Sequence, residues 1–208
     1  MGATQVLAVY VKAPLSGRVK TRLAATIGAD DACVFYKACA EHVVRAVVGS
    51  AWQLQVWTSD PDDVDQVSGW LGQPTYAQIG SSLGDRMAYT VNTSAPCPCV
   101  IIGSDTPDID AQTIAAAFDA LTTHDVVLGP AYDGGYYLIG MHRPLPSLFA
   151  NIDWSTDQVL AQTMHAAMVS GASVHLLQVL RDIDTVDDLH WYAATHKPSP
   201  FPLPHIHG

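Results

Sequence analysis

Four cations stand in one short stretch, Lys12-Ala13-Pro14-Leu15-Ser16-Gly17-Arg18-Val19-Lys20-Thr21-Arg22-Leu23: Lys12, Arg18, Lys20 and Arg22. The whole chain of 208 residues has only ten lysines and arginines and a formal net charge of −10. Cations gathered this way in an acidic protein call for an anionic ligand. The stretch follows an apolar run, Val6 to Val11, that reads as a buried strand, and it precedes a long helical pattern. Between a strand and a helix start, free backbone N–H groups and the helix dipole already favour phosphate. Pro14 and Gly17 suit the turn, because proline sets φ and glycine permits φ values closed to other residues. The expectation is a phosphate-cradling loop with its cations exposed. The plainer alternative is a solvated basic loop.

Carboxylates supply the complementary chemistry. Asp105 ends a strongly apolar run, Cys99 to Gly103, so its side chain is expected in a crevice. Its alternative duty is to cap the next helix. Asp133-Gly134-Gly135 lies between two further strand patterns, and Asp182-Ile183-Asp184 follows a third. In open α/β sheets, ligands gather at the carboxyl ends of strands. Carboxylates beside a cation-rich phosphate loop imply a bridging divalent cation, since otherwise they would repel the phosphate. Mg2+ fits, with Mn2+ as substitute. Asp182 and Asp184 point to opposite faces if extended, so one is a ligand and the other a helix cap, with Asp184 favoured as ligand. Asp133 either binds metal or a sugar hydroxyl, or shapes its turn. Gly134 and Gly135 allow a backbone to approach a ligand closely. Of the adjacent Tyr136 and Tyr137, one ring is expected toward the site and one toward the core. Trp154-Ser155-Thr156 is either a helix cap with a packed indole or a hydroxyl contact to substrate. Arg86 pairs either with phosphate or with Asp85.

These groups need a frame, and the sequence supplies alternating strand and helix patterns. Strands are expected at Val6–Val11, Trp52–Trp57, Pro74–Ile79, Cys99–Gly103, Asp125–Leu128, Tyr136–Met141 and Val174–Val179. Helices are expected at Ala29–Val48, from Ser59 to Gly72, up to Asn92, at Ala111–Leu121, from Trp154 to Val169 and from Val186 to Ala194. The acidic run Ser59–Asp63 reads as capping, with a metal role as the minor alternative. Such alternation argues one α/β domain over residues 1–197 with a mostly parallel sheet flanked by helices, and a Pro-rich tail over 198–208.

Composition bounds the partners. At 49% hydrophobic and 14% charged residues, the chain can bury a full core. The acidic balance argues against nucleic acid and anionic membranes. No apolar run is long enough to span a bilayer and no signal pattern opens the chain, so the expected location is the cytoplasm. Cys33, Cys39, Cys97 and Cys99 lack zinc spacing and read as free thiols, with a metal or redox site at Cys97-Pro98-Cys99 a remote alternative. His205 and His207 in the tail read as solvated. Nothing in the sequence points to a particular oligomeric state.

Taken together, the motifs K-A-P-x-x-G-x-V-K-T-R-L (Lys12–Leu23), L-G-D-R-M (Leu83–Met87), I-I-G-S-D-T-P-D-I (Ile101–Ile109), L-G-P-A-Y-D-G-G-Y-Y-L-I-G (Leu128–Gly140), D-W-S-T (Asp153–Thr156) and D-I-D-T-V-D-D-L (Asp182–Leu189) resemble a family of small bacterial proteins. That family is described as glycosyltransferase-A-like (GT-A) or as nucleotide-diphospho-sugar transferases. The resemblance runs from about Val6 to Leu189. It implies one Rossmann-like domain whose mixed sheet has one later strand antiparallel. It also implies nucleotide contacts at Lys12, Pro14, Gly17, Arg18, Lys20, Thr21, Arg22, Gly84 and Arg86, and a metal at Asp105 and Asp184. Substrate contacts would fall at Asp133, Gly134, Gly135, Tyr136, Ser155 and Thr156. The first loop is also similar to that of guanylyltransferases acting on phospholactate or phosphoenolpyruvate. It departs from the G-x-G-T-R loop of sugar-nucleotide pyrophosphorylases in having fewer glycines and more cations, and after the fourth strand pattern the chain has Ser104-Asp105 in place of the two aspartates flanking one residue of the glycosyltransferase D-x-D signature.

The activity expected is Mg2+-dependent transfer of a nucleotidyl group from a nucleoside triphosphate to a small phosphorylated acceptor, with Lys20 and Asp105 at its centre. The first alternative is glycosyl transfer from a nucleotide sugar to a hydroxyl or phosphorylated acceptor. The second is a non-catalytic nucleotide-binding regulator.

Overall fold

A computed structural model describes residues 5–49 and 51–204. Seven strands form one sheet: β1 (Gln5–Val11), β2 (Trp52–Thr58), β3 (Thr75–Ala77), β4 (Cys99–Ile102), β5 (Val126–Pro130), β6 (Tyr136–Met141) and β7 (Val174–Leu176). Their spatial order is β3-β2-β1-β4-β6-β5-β7. Strand β6 runs antiparallel to both β4 and β5, while the other pairings are parallel. The expected single α/β domain, with a mixed and mostly parallel sheet, is therefore what the chain forms.

The strands alternate their apolar residues between two layers of helix. Leu7, Val9 and Val11 of β1 and Val100 and Ile102 of β4 face one core. Val6, Ala8, Cys99 and Ile101 face the other. The first core is closed by α1 (Thr21–Ile27), α2 (Ala29–Ala46), α3 (Val64–Leu71), α5 (Ala111–Ala120) and α7 (Val186–Thr195) through Leu23, Phe35, Val67, Ile114 and Tyr192. The second is closed by α4 (Leu83–Ser94) and α6 (Val159–Val169) through Met87, Val91 and Ala167. Each fully buried Leu, Ile or Val contributes roughly 1.5–3 kcal/mol, so this two-sided burial dominates the fold's stability.

Several boundaries differ from the expectation. The basic loop does not run on to residue 29, because the seven-residue α1 intervenes. Gly28, at φ +89°, receives the end of α1 and starts α2. Helix α6 begins at Val159 without a side-chain cap. The stretch Trp154–Asp157 precedes it as a turn, with Ser155 at φ +66°. Neither Asp182 nor Asp184 caps α7; Thr185 does, in a capping box with Asp188. An oxygen one residue nearer the helix reaches the free N–H groups better. The stretch from Pro198 folds back on the domain, with Phe201 only 7% exposed and stacked on Tyr192. His205 and His207 lie outside the described residues.

Candidate active site

The cationic loop is pinned at both ends before it presents any charge. Ala13 and Val19 are buried at 3% and 1% exposure. Tyr36 on α2 clamps the loop's start: its hydroxyl accepts from the Lys12 N–H at 2.7 Å and lies 3.1 Å from the Lys12 carbonyl and 3.3 Å from Ser104 Oγ. At the far end Lys20 precedes α1 with φ 47° and ψ 47°, a left-handed conformation uncommon for a residue with a side chain. That geometry turns the lysine inward, beneath the loop.

The inward turn overturns the expectation that Lys20 is exposed. Its side chain is 5% exposed, and Nζ lies 2.6 Å from Asp184 Oδ1 and 3.3 Å from Asp105 Oδ2. Burial would lower the lysine's pKa, but the two carboxylates outweigh it and hold the ammonium charged. Arg22, in the first turn of α1, donates to Asp184 Oδ2 at 2.6 Å. Burial opposes ionisation of Asp184 as well, and Lys20 and Arg22 reverse that effect, keeping the carboxyl below its ordinary range.

The carboxylates are brought together by backbone. The Ile183 N–H donates to the Asp105 carbonyl at 3.0 Å, tying the segment before α7 to the end of β4. Ile183 is fully buried, so its neighbours Asp182 and Asp184 flank an apolar anchor. Gly103 leaves the space that Asp105 uses: a Cβ there would lie 2.7 Å from Asp105 Oδ1. Asp182 turns to the Thr106 hydroxyl, which donates to it at 3.1 Å. Burial, then the charges of Asp105 and Asp133, push the Asp182 carboxyl up to about 8.

These groups line an open cavity of about 540 Å³. Of the residues expected at the site, Lys12, Lys20, Thr21, Arg22, Arg86, Asp105, Tyr136 and Asp184 line it together. Arg86 donates to the Gly80 carbonyl at 3.3 Å, while Asp85 bonds Ser81 and Ser82 and is not its partner. Both tyrosines of the adjacent pair reach the cavity, although Tyr137 also belongs to the core and donates to the Gln178 carbonyl.

Other expected positions lie off the lining. Pro14 and Gly17, at φ +78°, shape the loop, and Arg18 is exposed at 3.5 Å from Asp60. Gly84 is a packing position: a Cβ would lie 2.9 Å from the Phe149 carbonyl and the Trp154 indole. Asp133 accepts from the Gly135 N–H at 2.9 Å within its own turn, and Gly134 sits against the Asp157 backbone. Thr156 donates to the Asp153 carbonyl at 2.7 Å. Ser155 is exposed beside it.

Sequence reasoning missed three groups. Tyr36 lies within a helical pattern where nothing local marks its hydroxyl, and Ser104 stands in the strand-end motif Ser104-Asp105 without a role of its own. Gln78 is 7% exposed, lines the cavity and donates to the Trp57 carbonyl at 2.8 Å. The available signal for Gln78 was an amide within the expected strand Pro74–Ile79; the strand itself ends at Ala77.

Among the described residues, no group of three or more His, Cys, Asp or Glu is gathered for a metal. Asp105 and Asp184, the two expected metal ligands, both line the cavity and are the candidate cation site. Two hard carboxylates with room for water and substrate oxygens match what Mg2+ or Mn2+ takes beside phosphates. The four cysteines are free thiols. No helix among the described residues is long and apolar enough to cross a membrane.

Comparison with known proteins places the fold. No curated protein matches by sequence. A solved protein of Desulfovibrio desulfuricans G20, provisionally named a nucleotide-diphospho-sugar transferase, is 30% identical over 94% of this chain and 89% of its own, with a TM-score of 0.88. The inositol-1-phosphate CTP transferase of T. maritima shares the fold at 14% identity, over 90% of this chain and 92% of its own, with a TM-score of 0.56. Rv0371c of Mycobacterium tuberculosis H37Rv, solved in complex with manganese, does so at 17% identity, over 93% and 100%, also at 0.56. The model of a family described as "Uncharacterized protein conserved in bacteria (DUF2064)" matches residues 42–156, more than half of the chain. The chain thus belongs to that bacterial family and carries the fold of the nucleotide-diphospho-sugar transferases.

Proposed function

We propose that this protein is a divalent-cation-dependent nucleotidyltransferase. It would join a nucleoside triphosphate to a small phosphorylated acceptor and release pyrophosphate. One observation carries the reading: Lys20 and Arg22 meet Asp105 and Asp184 at the rim of a single cavity. Lys12 and Arg86 line the same space. This excess of cations suits a triphosphate better than the two phosphates of a nucleotide sugar. Helix α1 is only seven residues long, so side-chain charge rather than a helix dipole carries the attraction.

In the reaction an acceptor phosphate oxygen bonds to the α-phosphorus, and the bond from that phosphorus to the β-phosphate oxygen breaks. Lys12, Lys20, Arg22 and Arg86 neutralise the phosphates and the departing pyrophosphate. Asp105 and Asp184 would hold Mg2+ or Mn2+, which supplies charge stabilisation at the reacting phosphates. Tyr36 and Ser104 keep the loop in place. No protein nucleophile is required, because phosphoryl-type transfer is governed by positioning and electrostatics.

The name of the 30% identical relative favours one second reading, glycosyl transfer from a nucleotide sugar. Thermal-shift binding across nucleoside triphosphates and nucleotide sugars, with and without Mg2+, separates them, because a ligand that binds only the folded chain raises its Tm. Mg2+-dependent stabilisation by a triphosphate, followed by pyrophosphate release with an acceptor, is expected. Stabilisation by a nucleotide sugar alone would transfer the assignment to glycosyl transfer. No shift with either panel would remove the nucleotide site.

A further inference from the structure

The two carboxylates assigned to a divalent cation already have a cation between them. Lys20 Nζ contacts both, at 2.6 Å and 3.3 Å, and Arg22 takes the remaining oxygen of Asp184 at 2.6 Å. Two carboxylates against two cations leave the free site neutral. An ammonium lying between the two carboxylates fills the space and offsets the charge that would draw a dication to them. Were a dication to enter beside it, the ammonium, itself 5% exposed, and the dication would be like charges a few ångströms apart, with their repulsion only partly screened.

We propose that Lys20 is a resident counter-ion that must leave Asp105 and Asp184 before a divalent cation enters, so that nucleotide phosphate and metal bind as a coupled pair. The phosphate draws the ammonium off the carboxylates, and the carboxylates then accept the metal. This rests on the reading of Asp105 and Asp184 as the cation's ligands. The side chain has the means to move. Lysine is a compact charge on a flexible four-carbon stem, and Lys20 sits at the junction of loop and α1 in a sparsely populated backbone conformation, φ 47° and ψ 47°. A change of φ and ψ at that one residue re-aims the ammonium while Leu23 keeps α1 anchored in the core. Coupling is reciprocal, so nucleotide and metal each raise the other's affinity by the same factor.

The test uses Mn2+ alone as probe, titrated against the full chain by electron paramagnetic resonance with no nucleotide present. Lys20→Met is expected to bind Mn2+ about tenfold tighter than the parent protein. Lys20→Arg, which keeps a cation, should bind as weakly as the parent. Adding Asp105→Asn to Lys20→Met should abolish the gain. Unchanged or weaker Mn2+ binding by Lys20→Met overturns the proposal. Should methionine destabilise the fold too far, Lys20→Gln offers a neutral amide to the same oxygens and is read in the same titration. The triphosphate with the largest thermal shift is then added. It should tighten Mn2+ binding in the parent protein and do so less in the variant; an equal gain in both also overturns the proposal. Failure of the nucleotidyl-transfer reading would appear separately, as the absence of any nucleotide shift, because the first titration contains no nucleotide.

Discussion

The site region and the loops after β5 and β6 are built on different principles. In the first, the ends of β1 and β4 and the segment before α7 join Lys20 to Asp105 and Asp184 across 85 and 164 residues of sequence. In the second, the polar groups bond their own backbone a few residues away, as Asp133 does with Gly135 and Thr156 with Asp153. Long-range ion pairs keep charged groups together where a ligand can reach them. Short-range bonds use up the same kinds of group in fixing the shape of a turn. Residue type alone does not separate the two cases; the partner does.

Substitutions can break this contrast. The largest effect is expected for Asp105→Asn, which should lower metal-dependent turnover by about 10²-fold or more while the fold persists. Pyrophosphate release against Mg2+ concentration reads it, and unchanged metal dependence would remove Asp105 from its role. Gly134→Ala attacks the other region. Its Cβ would press on the Asp157 backbone at φ +89°, for a loss of about 2–3 kcal/mol in denaturant unfolding, with Mn2+ affinity unaltered. A stable variant with weakened ligand binding would make that turn part of the site.

Lys20→Ala comes next. An exposed loop cation would cost almost nothing, but this buried one should cost about 1–3 kcal/mol, discounted because both carboxylates keep some solvent contact. An unaltered unfolding midpoint would show that its ion pairs are idle in the free protein.

Asp182→Asn sharpens the electrostatic side through pH. Burial, with Asp105 and Asp133, raises the folded carboxyl from 3.8 to about 8. A carboxyl raised in the folded state contributes stability that is full below the unfolded value and is lost as pH climbs through the folded one. The parent protein should therefore lose ground to Asp182→Asn as pH rises from about 4 to about 8. Melting temperatures that stay a constant distance apart across that window would contradict the shift. The smallest effects belong to Ser155→Ala and Thr156→Ala, each expected within about 0.5 kcal/mol of the parent in stability and without change in nucleotide binding.

Much of the fold was legible because its signals are local. The apolar runs Val6–Val11 and Cys99–Ile102 can only be buried strands in a chain of this composition, and Tyr136–Met141 matches β6 at both ends. Helix α1 was not legible: seven residues between a basic loop and Gly28 carry too little periodicity. The tail's proline content signals a loop, and residues 198–204 form neither helix nor strand; that Phe201 stacks on Tyr192 and packs near Phe35 is not readable from that signal.

By itself, the sequence determined the α/β class, the strand order along the chain and the positions where charge collects, because hydrophobic periodicity and strand-end motifs are properties of neighbouring residues. Only the tertiary structure decided that Lys20 turns inward, that Asp182 bonds Thr106 while Asp184 meets two cations, and that Gly84 packs beneath Phe149. Each of those outcomes depends on which distant groups share a poorly solvated space. There an unpaired charge is costly and a paired one is held.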